Sequence, residues 1–223
     1  MLYKLKQYGR FELSLLLAGM TLFCFALLAF RLQATGTKMY IFLYWNLFLA
    51  FIPWAMSSLV MVSPKLREKK FVLWGLLAVW MLFFPNSPYI LTDLFHLRTK
   101  SAMPVWFDLG LILSFAWTGL VYGFVSLSDI ENLLSKKFTR SVTSLMIVVL
   151  LFISSFGIYL GRYLRWNSWD IIHKPTELFT DIAIRFIDPF SHPRTWGMTI
   201  LMGILLNAMF WSIRFIKRNK QTV

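Results

Sequence analysis

An aspartate and a histidine three residues apart, Asp93 and His96, close the stretch FFPNSPYILTDLFHL that runs from Phe83 to Leu97. On a helix that spacing puts both side chains on one face with Tyr89 and Thr92. There a carboxylate can bond an imidazole, raise its pKa and fix its tautomer. Such a pair can carry acid/base chemistry; the plainer reading is a pair of solvated caps. A second stretch, GRYLRWNSWD, sets Arg162 and Arg165 three apart and follows them with Asn167, Ser168 and Asp170. Two guanidinium forks suit a phosphate or a carboxylate ligand, or they pair with Asp93, Asp108 or Asp170 and anchor a span. Metal binding is the third chemistry to weigh, because His96, His173 and His192 each follow an aspartate by three or four residues. Histidine and carboxylate ligands suit zinc or manganese. The D-x-x-H pattern is short enough to arise by chance, however, and no H-E-x-x-H or cysteine pair accompanies it, so no metal site is expected. No G-x-S-x-G, Walker-type or G-x-G-x-x-G pattern occurs, and no cofactor is expected.

The elements that must position these groups are membrane helices. The chain has 223 residues, 58% hydrophobic and 18% aromatic, with only 15% charged, against roughly 25% charged in soluble domains. Six apolar windows can be read, at 12–30, 39–62, 71–92, 105–127, 143–163 and 195–216. Each approaches the ~20 residues that cross ~30 Å of hydrocarbon. The longest connection, 164–194, is too short to hold a core of its own. The expectation is a single transmembrane domain over 1–223, an all-α polytopic bundle of about six helices. The first window exceeds a signal-peptide core and lacks an A-x-A-like site, so it reads as a retained span. Cys24 lies inside it, and as the one cysteine it excludes an intramolecular disulfide. In the second window Pro53 should kink the helix and free the Leu49 carbonyl. In the fifth, Gly157 and Gly161 form a small pair four apart, and in the sixth Asn207 reads as an interhelical hydrogen bond. No span carries a charge midway, which counts against a transport pathway.

The net charge of +13 follows topology, not nucleic acid, because the basic residues sit at span ends. With the N-terminus inside, the inner segments hold Lys4, Lys6, Arg10, Lys65, Arg67, Lys69, Lys70, Lys136, Lys137, Arg140, Arg214, Lys217, Arg218 and Lys220. These are fourteen of the 23 lysines and arginines, leaving nine outside, a bias that puts both termini in the cytoplasm. Arg162, Arg165, Lys174, Arg185 and Arg194 crowd into the last outer connection against that tendency. Tyr40, Tyr44, Trp45, Tyr89, Trp106, Tyr159, Tyr163, Trp166, Trp169 and Trp196 fall at the same ends and read as an interfacial girdle or as the wall of a groove. In the inner loop SDIENLLSKKFTR, Asp129 is placed to cap a short turn. The segment TELFTDIAIRFIDPF reads as a short helix on the outer membrane surface, capped by Thr176.

The third window stops abruptly. From Phe71 to Phe84 the helix rises only ~20 Å at ~1.5 Å per residue, and Pro85 and Pro88 then each delete an amide donor. The helix is expected to break or end at this PNSP turn, non-helical at membrane depth, with carbonyls at Met81 and Phe84 seeking partners such as Asn86, Ser87 and Thr92. Such a break implies a polar pocket near the outer face, lined by Asn86, Tyr89, Thr92, Arg162, Arg165, Asn167, Ser168 and Asp170, with Asp93 and His96 as candidate catalytic groups. Its expected partners are membrane lipids, either an anionic headgroup or a lipid-linked envelope precursor. The alternative is a non-enzymatic transporter, flippase or assembly subunit in which the polar layer is structural.

At WNLFLAFIP, FFPNSPYILTDLFHL and FGIYLGRYLRWNSWD the chain resembles an uncharacterised family of multi-span membrane proteins, domain of unknown function 1361. The resemblance covers nearly the whole chain and implies a bacterial cytoplasmic-membrane protein; it implies no reaction. The residues that carry it are Asn46, Pro85, Asn86, Pro88, Tyr89, Thr92, Asp93 and His96, then Gly161, Arg162, Arg165, Trp166, Asn167, Ser168, Trp169 and Asp170. His173 and His192 fall outside those motifs.

Overall fold

In hydrocarbon every backbone amide must be paired within the protein, so long apolar runs become helices. The computed structural model describes residues 9–97 and 102–219, and among them no strand occurs. Helix α1 spans Phe11–Thr35, α2 Phe42–Val62 and the short α3 Pro64–Glu68. The third span is assembled from α4 (Lys70–Phe83), α5 (Asn86–Tyr89) and a 3-10 helix over Ile90–His96. Then come α6 (Val105–Leu134), α7 (Arg140–Tyr163), α8 (Asp170–His173), α9 (Pro175–Ile187) and α10 (Pro193–Asn219). Six of these segments are long and apolar enough to cross a membrane, the third being Phe71–His96. Lys4, Lys6 and Lys220, counted in the basic bias, lie outside the described residues, as do the side chains of Lys70, Lys217 and Arg218.

The chain divides into two compact units, residues 1–130 and 131–223, with the boundary inside α6. In the first unit α1 buries Leu17, Cys24 and Leu28, α2 buries Leu43, Leu47 and Ala50, and α6 buries Leu111, Ile112, Phe115 and Tyr122. Between membrane helices the apolar effect is weak, so close packing and hydrogen bonds decide the contacts. Thr21 bonds the Tyr122 hydroxyl at 2.9 Å, Cys24 meets Thr118 at 3.3 Å, and the Phe25 and Tyr44 rings meet edge to face at 4.8 Å. Gly119 and Gly123 let the third span lie against α6: a Cβ on Gly119 would stand 2.9 Å from the Ser87 carbonyl, and one on Gly123 2.8 Å from Ser87 Cβ.

The PNSP segment is interrupted but not irregular, which corrects the expectation of a non-helical stretch. Phe84 and Pro85 keep helical dihedrals (φ −55, ψ −39 and φ −57, ψ −23) while the hydrogen-bond ladder changes register. Proline's preset φ suits the first turn of a new helix, where the missing donor has no partner to lose. The Phe83 carbonyl is recovered by Asn86 Nδ2 at 2.9 Å, and the Phe84 carbonyl by the Ser87 amide at 3.0 Å. Ser87 Oγ donates instead to the carbonyl of Ala50 at 2.9 Å, beside the Pro53 position of α2.

In the second unit α7 and α10 run antiparallel. Phe152 lies where a Cβ on Gly203 would touch it at 2.3 Å, and the Phe156 ring stands 6.2 Å from Trp196. Ile147, Leu151 and Ile158 of α7 and Leu206 and Phe210 of α10 are buried. Asn207 differs from expectation: its Nδ2 donates to the Gly203 carbonyl at 2.8 Å and its Oδ1 accepts from Trp211 Nε1 at 3.2 Å, both within α10.

Candidate functional site

The first half of the expected constellation belongs to the 1–130 unit. Asp93, 1% exposed, accepts from Asn46 Nδ2 at 2.7 Å, so the third span is tied to α2. Thr92 turns its hydroxyl to the Tyr89 carbonyl at 2.6 Å, and Asn86 serves Phe83. The His96 ring lies 5.0 Å from Phe42, and its carbonyl accepts the Tyr40 hydroxyl at 3.1 Å. Tyr40 holds a left-handed backbone, φ 68, rare for a side-chain-bearing residue. The cause is visible in its contacts: the conformation sets its ring 4.6 Å beneath the Arg31 guanidinium while its hydroxyl reaches the third span.

Arg31 was absent from the sequence reading of the site, and it changes the charge balance there. Its Nε donates to Asp108 Oδ1 at 2.7 Å and its Nη2 to Oδ2 at 3.3 Å, with both side chains fully buried. Nη1 adds Thr37 at 3.2 Å. A charge-assisted fork of this kind is favoured where neither partner reaches solvent. Asp108 therefore has a matched cation on α1. A lone arginine at the end of an apolar window was the available signal, because such a residue needs an acidic partner.

At the opposite end of the same unit, α6 continues through Asp129 instead of being capped by it. Arg10 donates from Nη1 and Nη2 to Asp129 Oδ1 and Oδ2, both at 2.8 Å, and from Nη2 to Ser58 at 3.0 Å. Ser57 Oγ completes the carboxylate at 2.7 Å. Bidentate geometry plus two serines satisfies a pair that a membrane interior would otherwise penalise.

The second half belongs to the 131–223 unit. The helix α7 ends at Tyr163, and Arg165 takes φ 61 just past its end, the position where glycine is the usual residue. The Trp166 amide turns back to the Leu160 carbonyl at 3.1 Å. Trp166 Nε1 donates to Asp181 Oδ2 at 2.7 Å, and Arg185 braces the same aspartate from one turn further along α9, at 3.3 Å from Oδ1. Asp170 accepts from the Asn167 amide at 2.7 Å and from its Nδ2 at 3.2 Å. Arg162 is half-buried, Ser168 is half-buried and Arg165 is exposed. Arg194 lies 5.5 Å over the Tyr163 ring. Asp181 and Arg185 were missed in the sequence; their i,i+4 spacing on an amphipathic helix was the signal.

Helix α9 occupies the expected short-helix segment, but it is entered by Lys174 with Pro175 at its first turn, not capped by Thr176. Proline there loses no hydrogen bond. Phe179, Ile184, Phe186 and Ile187 are exposed along it. Beyond its end, hydrogen bonds from Ser191 hold the Asp188 carboxyl below its ordinary value. His173 Nδ1 lies 3.1 Å from the Trp169 carbonyl. Among the described residues no group of three or more His, Cys, Asp and Glu side chains converges.

Six apolar membrane-length helices define a multi-pass α-helical membrane protein. Residues 45–209 match the family described as "Protein of unknown function (DUF1361)", and the chain belongs to that family. Both motif stretches lie within the matched region, while Arg10 and Arg31 precede it. No curated protein and no solved structure matches the chain.

Proposed function

We propose that this protein binds an anionic lipid headgroup, or the phosphate of a lipid-linked envelope precursor, at the membrane face that carries Arg162 and Arg165. The observation that carries the reading is Arg165 itself. Its left-handed backbone costs about 1–2 kcal/mol relative to a right-handed one, yet its side chain is exposed. Strain of this kind is kept where the surrounding structure holds a residue for use. Neither Asp170 nor Asp181 of the same unit accounts for it: Asp170 is held by Asn167, and Asp181 by Trp166 and Arg185. The exposed apolar side of α9 supports a membrane surface beside it. In this reading the membrane is the bacterial inner membrane and both termini are cytoplasmic.

The test is Arg162→Gln together with Arg165→Gln. The expected outcome is folded protein with an unchanged melting temperature that no longer co-purifies with an anionic lipid. An unfolded double variant, or wild type carrying no such lipid, would return these arginines to the scaffold. The buried Arg31/Asp108 and Arg10/Asp129 pairs favour the second reading for the 1–130 unit, where the polar groups lock spans together.

A further inference from the structure

A separate basic cleft lies in the 131–223 unit, at the end of α7 opposite Arg165. It has a volume of about 520 Å³ and is lined by Arg140, Ser144, Trp211, Ser212, Arg214 and Phe215. We infer that this cleft seats the phosphodiester of an anionic glycerophospholipid between Arg140 and Arg214, with the acyl chains running along the exposed faces of Phe215 and Ile216.

Four observations support this occupant. Arg214 is positioned by a relay within α10: Asn207 Nδ2 holds the Gly203 carbonyl at 2.8 Å, Asn207 Oδ1 holds Trp211 Nε1 at 3.2 Å, and the Trp211 ring lies 4.8 Å beneath the guanidinium. That stack fixes the cation before any ligand arrives. Arg140 opens α7, where Thr139 makes no side-chain capping bond. The positive end of the α7 dipole therefore adds to two guanidinium groups. Glu131 pairs with Arg214, so the two arginines leave one positive charge in excess, the complement of a single phosphodiester. Finally, both α7 and α10 are membrane-length helices, so their ends lie at headgroup depth, and Phe215 (66% exposed) and Ile216 (60% exposed) face lipid there. Ser144 offers a hydroxyl donor to the phosphate oxygens, while the Ser212 hydroxyl donates to the Ala208 carbonyl at 2.6 Å.

The experiment places the full chain in nanodiscs of equimolar phosphatidylcholine and phosphatidylglycerol. It reads the yield with which a photoreactive phosphatidylglycerol crosslinks to residues 211–216, a location the Arg162/Arg165 face does not report. Arg140→Gln with Arg214→Gln should cut that yield about tenfold more than Lys136→Gln with Lys137→Gln, which removes equal charge from the adjacent loop. Because Arg214→Gln leaves Glu131 unmatched and can unfold the protein, Glu131→Gln is the second variant: it releases Arg214 and should raise the yield severalfold. A fall or no change in Glu131→Gln would overturn the inference. So would equal losses in the two double variants, equal labelling by a phosphatidylcholine probe, or displacement of the lipid by excess inorganic phosphate.

Discussion

Tyr40 and Arg165 are two residues with side chains held in the left-handed region, one in each unit, and they use the conformation differently. Tyr40 is buried, its ring under Arg31 and its hydroxyl on His96, so its contacts offset the strain locally. Arg165 is exposed, and the contacts around it belong to its neighbours: Trp166 and Arg185 hold Asp181, and Asn167 holds Asp170. A strained residue with contacts of its own is part of the scaffold. A strained residue whose surroundings are braced without it is the better candidate for contact with a ligand. The same contrast separates the arginines, Arg31 fully buried on Asp108 and Arg165 at the surface.

The sharpest way to break this comparison is at Arg31. Arg31→Gln leaves the Asp108 carboxylate buried without its cation and should cost about 3–5 kcal/mol, read as a lowered denaturation midpoint in lipid or detergent. Replacing both partners, Arg31→Met with Asp108→Leu, should recover most of that loss, because the pair's desolvation is removed along with its attraction. A smaller effect is expected at Tyr40. Tyr40→Gly relieves about 1–2 kcal/mol of backbone strain but removes a buried aromatic worth about 3–5 kcal/mol, for a net loss near 2 kcal/mol in the same assay. The smallest effect has the opposite sign. Arg165→Gly should stabilise the protein by about 1 kcal/mol while lowering retained anionic lipid. If it destabilises as Tyr40→Gly does, Arg165 belongs with the scaffold.

Much of the architecture was legible because bilayer thickness is a length that sequence can be measured against. The six windows overlap the six membrane-length helices; α6 runs past its window to Leu134, whereas α2 begins only at Phe42, inside its window. Helix hydrogen bonding does not stop where hydrophobicity does. The PNSP turn was legible as an interruption and misread as irregular backbone. Proline's missing donor can be read from sequence, whereas the dihedrals at Phe84 and Pro85 depended on Ser87 and Asn86 finding the carbonyls of Ala50 and Phe83.

Apolar run length and composition by themselves determined that this is an all-α membrane protein with six membrane-length segments, and motif spacing placed Trp166, Asn167 and Asp170 at one helix end. Only the tertiary structure decided who pairs with whom. Arg31 and Asp108 are 77 residues apart and Arg10 and Asp129 are 119 apart. No local periodicity relates such positions, because a salt bridge depends on which helix faces come together. The packing that brings them together is set by side-chain shape, by Gly119 and Gly123 against Ser87 and by Phe25 against Tyr44, because hydrophobicity drives helices into the bilayer and not onto one another.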